Sequence, residues 1–179
     1  MEAVTLERLR SFLERLGERY PGQGTFYLLG GCALQLLGNP RTTVDVDYTL
    51  EFESGALEQF QESLAELAAE MRLDVDEVPL GEFIPLPPQA RDRHRLVGRY
   101  GSLDVYIYDL YSIALSKIAR GFEADLEDVL FLLHERLIEF AELEHHFDAI
   151  FPEAAKVDII PDEFRSYFEE IRQRYGEGE

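Results

Sequence analysis

At 179 residues, 46% of them hydrophobic, the chain is long enough for one domain with a real core. No run approaches the ~20 apolar residues of a membrane-spanning helix, and residues 1–8 have neither the basic start nor the apolar segment of a secretory signal. The formal net charge of −19 repels a polyanion and excludes broad, non-specific nucleic-acid binding, while a lone cysteine, Cys32, allows no intrachain disulfide and points to a soluble, cytoplasmic protein.

Leu6, Leu9, Phe12, Leu13 and Leu16 recur at helical spacing and predict an amphipathic helix over 4–19. Pro21-Gly22-Gln23-Gly24 turns the chain into a short buried strand, Thr25–Leu29. Gly30-Gly31 opens a brief helix that stops at Gly38-Asn39-Pro40, and a second strand follows over 43–52. Residues 54–71 read as a long helix with Ser54 as its N-cap. Residues 73–78 alternate like a strand, and Pro79–Pro88, with four prolines, reads as a loop or an extended edge. Strands over 94–100 and 103–108 meet at Gly101-Ser102 as a hairpin. Four helices close the chain, near 110–120, 124–135, 137–149 and 161–174. The expected architecture is an α/β core over 1–109 with a helical part over 110–179 packed on it as one structural unit.

The chemistry centres on Thr43-Val44-Asp45-Val46-Asp47. Alternate residues of a strand share a face, so Asp45 and Asp47 project together, with Val44 and Val46 expected to be buried behind them. Two carboxylates so placed suit one or two Mg²⁺ ions, and Gly30 and Gly31 let backbone approach phosphates that any Cβ would hold off. Asp104, embedded in the apolar strand 103–108, is a third carboxylate if that strand lies beside 43–52; otherwise it is an ordinary half-exposed strand residue. Three carboxylates around two ions can clamp the attacking and leaving oxygens of a phosphoryl transfer.

Lys117, one of only two lysines, lies on or beside the apolar stripe of its helix. It is either a lysine whose stem packs while its head reaches water, or a phosphate- or acceptor-binding cation. Asp125 is read as a helix cap and Asp128 as an orienting partner for Lys117. Arg41 either reaches a phosphate or ties down the 38–42 turn. Arg91, Arg93, Arg95 and Arg99 form a local basic cluster, read as a solvated strand edge in preference to a nucleotide contact. His145-His146 is not a metal pair, because adjacent helix residues point about 100° apart. Tyr106 and Tyr108 either flank a base or pack as core.

Gly30-Gly31, the spaced Arg41-x-x-x-Asp45-x-Asp47, and the segment 109–121 followed by Asp125-x-x-Asp128 occur in order. Together they resemble the signatures of the polymerase β-like nucleotidyltransferase superfamily, in particular the minimal nucleotidyltransferases of the AbiEii toxin-like group and the related family DUF6036. The resemblance covers roughly residues 28–130. It implies the nucleotidyltransferase fold, a mixed central sheet flanked by helices with a helical C-terminal extension. It implies that Asp45, Asp47 and Asp104 hold two Mg²⁺ ions, that Gly30, Gly31, Arg41 and Thr43 meet the nucleotide with Asp128 in support, and that Lys117 serves the transfer. Gly31 stands where many members of the superfamily carry a serine; a Gly-Gly form also occurs in the toxin-like branch. The activity implied is transfer of a nucleoside monophosphate from an NTP to a hydroxyl on RNA or protein, in a toxin–antitoxin setting with an antitoxin-like partner. The alternatives are a catalytically silent nucleotide-binding module that keeps the fold, or an interaction protein whose acidic helices dock a basic partner.

Overall fold

The computed structural model describes residues 2–53 and 55–178. They form two compact units: residues up to Val78 with Arg95–Tyr108, and Pro79–His94 with residues from Asp109 onward. The expected core therefore gives up Pro79–His94, which clusters with the helices.

The first unit contains α1 (Leu6–Arg19), β1 (Gly24–Leu28), α2 (Gly30–Leu36), β2 (Asp45–Glu51), α3 (Leu57–Met71), β3 (Asp74–Glu77), β4 (Arg95–Tyr100) and β5 (Leu103–Ile107). The sheet order is β3-β2-β1-β5-β4. It is mixed: β1 runs antiparallel to β2 and parallel to β5, β2 parallel to β3, and β4 antiparallel to β5. Strand alternation gives the sheet one apolar face, with Phe26, Leu28, Val46, Tyr48, Leu103, Val105 and Ile107 buried. Helices α1 and α3 supply the opposing layer through buried Leu9, Phe12, Leu13, Leu16, Phe60, Leu64 and Leu67. Phe26 is the hub, stacked on Tyr48 at 5.0 Å and reaching Phe60 at 6.1 Å and Phe12 at 6.5 Å between ring centroids. Thr5 caps α1 by accepting from Arg8 N–H. A Cβ on Gly17 would lie 2.4 Å from the Tyr100 carbonyl oxygen, so only glycine lets α1 come this close to the β4–β5 hairpin.

The other face is half-exposed and polar: Asp45, Asp47 and Thr49 on β2, Thr25 and Tyr27 on β1, Asp104 and Tyr106 on β5, then Tyr108. β2 begins at Asp45, two residues later than expected, because Thr43 makes an isolated bridge with Val4. Val44 consequently stands 43% exposed, and Val46 alone is buried behind the aspartates. Ser54, the expected cap of α3, lies outside the described residues.

The second unit contains α4 (Leu80–Phe83), a 3₁₀ turn (Ala90–Arg93), α5 (Leu110–Arg120), α6 (Glu123–His134), α7 (Phe140–Ile150), a second 3₁₀ segment (Phe151–Lys156) and α8 (Pro161–Glu177). The proline-rich stretch read as a loop thus holds one helical turn. Phe147 anchors the helical core, stacked on Phe168 at 4.1 Å and tilted against Phe164 at 4.7 Å. Asp109 starts α5: fully buried, it accepts from the N–H groups of Tyr111 and Ser112 and from Ser112 Oγ. Arg93 pairs with both its oxygens, at 2.8 and 3.0 Å. No helix among the described residues is long and apolar enough to cross a membrane.

Candidate functional site

β2 and β3 each carry the tripeptide Asp-Val-Asp, and they pair in register: Asp45 with Asp74, Val46 with Val75, Asp47 with Asp76. Residues directly opposite one another share a face, so the paired strands gather carboxylates on the open side of the sheet. One oxygen each from Asp45, Asp47 and Asp76 lie within 4.8 Å of one another, the one such cluster of three or more His, Cys, Asp or Glu among the described residues. An octahedral Mg²⁺ with bonds of roughly 2.1 Å spans about 4.2 Å between opposite ligands, a spacing of the same order as that of these oxygens, and an all-carboxylate donor set suits so hard a cation.

The surrounding residues shape the cluster. Gly30 has φ +57°, and a Cβ there would lie 2.1 Å from Asp47 Oδ2. A Cβ on Gly31 would lie 2.8 Å from Thr43 Cβ. The glycine pair therefore does for the carboxylates what it was expected to do for phosphates: it lets the start of α2 pass without displacing them. Thr43 Oγ1 donates to Asp45 Oδ1 at 2.9 Å and fixes the orientation of that carboxylate. The Cys32 thiol donates to the Asp45 carbonyl at 3.1 Å. Its burial, with Asp47 and Asp45 adding negative potential, pushes its pKa up to about 12. Tyr48 is likewise pushed up to about 12, by burial and then by Glu77 and Asp76. Arg41 is exposed, and its backbone joins the turn, donating to Asn39 Oδ1 and accepting from Gln35 Nε2.

Asp104 does not join the cluster. β1 lies between β5 and β2, and Asp104 stands beside Thr25, which pairs with Glu51 at the far end of β2. Four residues of strand separate Glu51 from Asp47, roughly 13 Å at the usual rise. Asp104 shares the face but not the place, and its neighbour is Arg99 at 3.6 Å across the hairpin. The third carboxylate is Asp76, which the sequence reading missed. The repeated Asp-Val-Asp was its available signal, legible only once the two strands are known to pair.

In the second unit Lys117 is 6% exposed, its Nζ 2.8 Å from Asp128 Oδ2 and 3.0 Å from Asp125 Oδ1. Asp128 is thus the partner of Lys117 that the spacing suggested. Asp125 does not cap α6, whose N-cap is Phe122; it turns to Lys117 and to Arg120, 3.1 Å away. Of the basic cluster, Arg93 is held by Asp109, a hydrogen bond that raises its pKa above the ordinary arginine value, and Arg99 faces Asp104. His146 is buried, and its pKa falls below the ordinary value, first through that burial and then through Arg93.

No curated protein and no solved structure gives a significant match to the chain. A family model does: that described as "Nucleotidyltransferase of unknown function (DUF6036)" matches residues 5–175, and the chain belongs to that family.

Proposed function

We propose that the chain is a magnesium-dependent nucleotidyltransferase that moves a nucleoside monophosphate from an NTP to a hydroxyl group and releases pyrophosphate. The observation that carries this reading is the convergence of Asp45, Asp47 and Asp76 beside a glycine that no other residue can replace without striking Asp47. Two Mg²⁺ ions held by these carboxylates would neutralise the triphosphate and stabilise the charge that develops in line. The chain's own part is positioning. Asp45 is oriented by Thr43, Gly30 and Gly31 keep the approach to Asp47 free of side chains, and the strand pairing sets the spacing of the three acids. A carboxylate of this set that is not fully engaged accepts the proton of the attacking hydroxyl. Arg41 and Lys117 enter through the family resemblance, Arg41 toward the phosphates and Lys117 as a cation serving transfer, with Asp128 orienting it. RNA or protein as acceptor, and a toxin-like role with an antitoxin-like partner, rest on that resemblance too.

The test is label transfer from each of four α-³²P NTPs with Mg²⁺, offered total RNA and total protein as acceptors. Label in one acceptor fraction, lost on adding EDTA, identifies the base and the acceptor class. No label from any NTP in either fraction contradicts the reading.

A further inference from the structure

On the open face of the sheet, next to the carboxylates, three tyrosines touch. The Tyr27 ring lies 5.8 Å from that of Tyr106 and 5.7 Å from that of Tyr108, tilted to the first and edge-on to the second. All three are half-exposed, whereas Phe26, Leu28, Val105 and Ile107, which alternate with them, are buried on the opposite face. The trio is therefore not part of the apolar core, and Tyr27 is steadied by a hydrogen bond from its hydroxyl to Glu51 Oε2 at 3.0 Å. Register fixes its position relative to the acids. Tyr27 pairs with Thr49 on β2 and with Tyr106 on β5; one strand-repeat further on, Leu29 N–H donates to the Asp47 carbonyl and Tyr108 N–H to the Leu28 carbonyl. Tyr108 thus stands in the same lateral row as Asp47, two strands away, roughly 10 Å by the usual strand spacing.

We infer that Tyr27, Tyr106 and Tyr108 form a stacking platform for the nucleobase of the NTP whose phosphates the carboxylates hold, an assignment that rests on the nucleotidyltransferase reading. An aromatic patch one nucleotide's reach from a triphosphate site receives the base, because every base offers a π-face and stacking needs no hydrogen-bond pattern. The larger rings gain more, so the platform favours purine nucleotides over pyrimidine ones.

Calorimetry with Mg²⁺ separates the two layers of the argument, using inorganic tripolyphosphate and the α,β-methylene analogues of ATP and CTP. The wild type should bind the ATP analogue about tenfold tighter than tripolyphosphate, with CTP between them. Joint replacement Tyr106→Leu and Tyr108→Leu should bring the ATP analogue down to the affinity of tripolyphosphate, whose own binding stays within about twofold. Tyr106→Phe with Tyr108→Phe, which keeps the rings, should retain the preference. Unchanged nucleotide affinity in the leucine variant overturns the platform and leaves the nucleotidyltransferase reading standing. Wild type that binds none of the three probes overturns both. Should the double variant lose tripolyphosphate binding as well, the single leucine variants decide by the same comparison.

Discussion

Gly30 concentrates the demands on a single position: a positive φ and a close approach of Asp47, whose Oδ2 would lie 2.1 Å from an added methyl group. Alanine in this left-handed conformation costs about 1–2 kcal/mol before any clash is counted. Gly30→Ala should therefore lower the melting temperature and, by displacing Asp47, reduce transfer far more than that stability loss explains. A variant that melts lower but transfers at the wild-type rate would detach the glycine from the site. Cys32 gives a second prediction at this scale. Its thiol pKa is raised from 9.0 to about 12 in the folded chain, so the folded state holds a proton that the unfolded state releases. The contribution of Cys32 to stability is accordingly full below pH 9 and is lost as pH rises toward 12, with Tyr48 adding to the loss above pH 10. Thermal melts from pH 7 to 11 should show that decline, and Cys32→Ala should soften its onset; an identical decline in the variant would remove Cys32 as a cause. The residues of the candidate site were legible where they are local. Asp45, Asp47 and the glycine pair lie within eighteen residues of one another, and strand alternation alone puts the two acids on one face.

Elements were legible to within a few residues wherever periodicity was strong, as in α1, α5 and the β4–β5 hairpin. Their order in the sheet was not. The strand bearing Asp104 looks as suitable a neighbour for β2 as the short strand bearing Asp76, because pairing is decided by packing and connection geometry rather than by the strand's own residues. β1 inserts between β2 and β5, and that one fact exchanges Asp104 for Asp76. The tie between α5 and α6 was half legible. Spacing suggested Asp128 for Lys117, while Asp125 read as a cap because acids in a first helical turn usually are. The structure buries all three, so Lys117→Met should remove the cation that Asp125 and Asp128 share, leaving Asp125 its contact with Arg120, and cost about 3–5 kcal/mol, read by chemical denaturation. Restoring charge balance with Lys117→Met and Asp128→Leu together should recover part of that loss. A Lys117→Met chain as stable as the wild type would mean that the network contributes nothing to the second unit. Loss of transfer in a variant that keeps its stability would favour the role in catalysis instead.

For the molecule as a whole, a net charge of −19 sets a condition on any anionic substrate. An NTP approaches this surface against repulsion, and divalent cations on Asp45, Asp47 and Asp76 are what would make the encounter favourable. Binding should consequently weaken steeply when Mg²⁺ is withdrawn. The sheet places Asp76, and not Asp104, with the pair on β2. The most direct measurement compares transfer of α-³²P-labelled nucleotide by the wild type, Asp76→Asn and Asp104→Asn at saturating Mg²⁺. Asp104→Asn should stay within a few-fold of wild type while Asp76→Asn falls by about 10²-fold or more, the loss expected when a metal-held transition state loses a carboxylate. Asp104→Asn inactive with Asp76→Asn near wild type would put the third carboxylate on β5 instead.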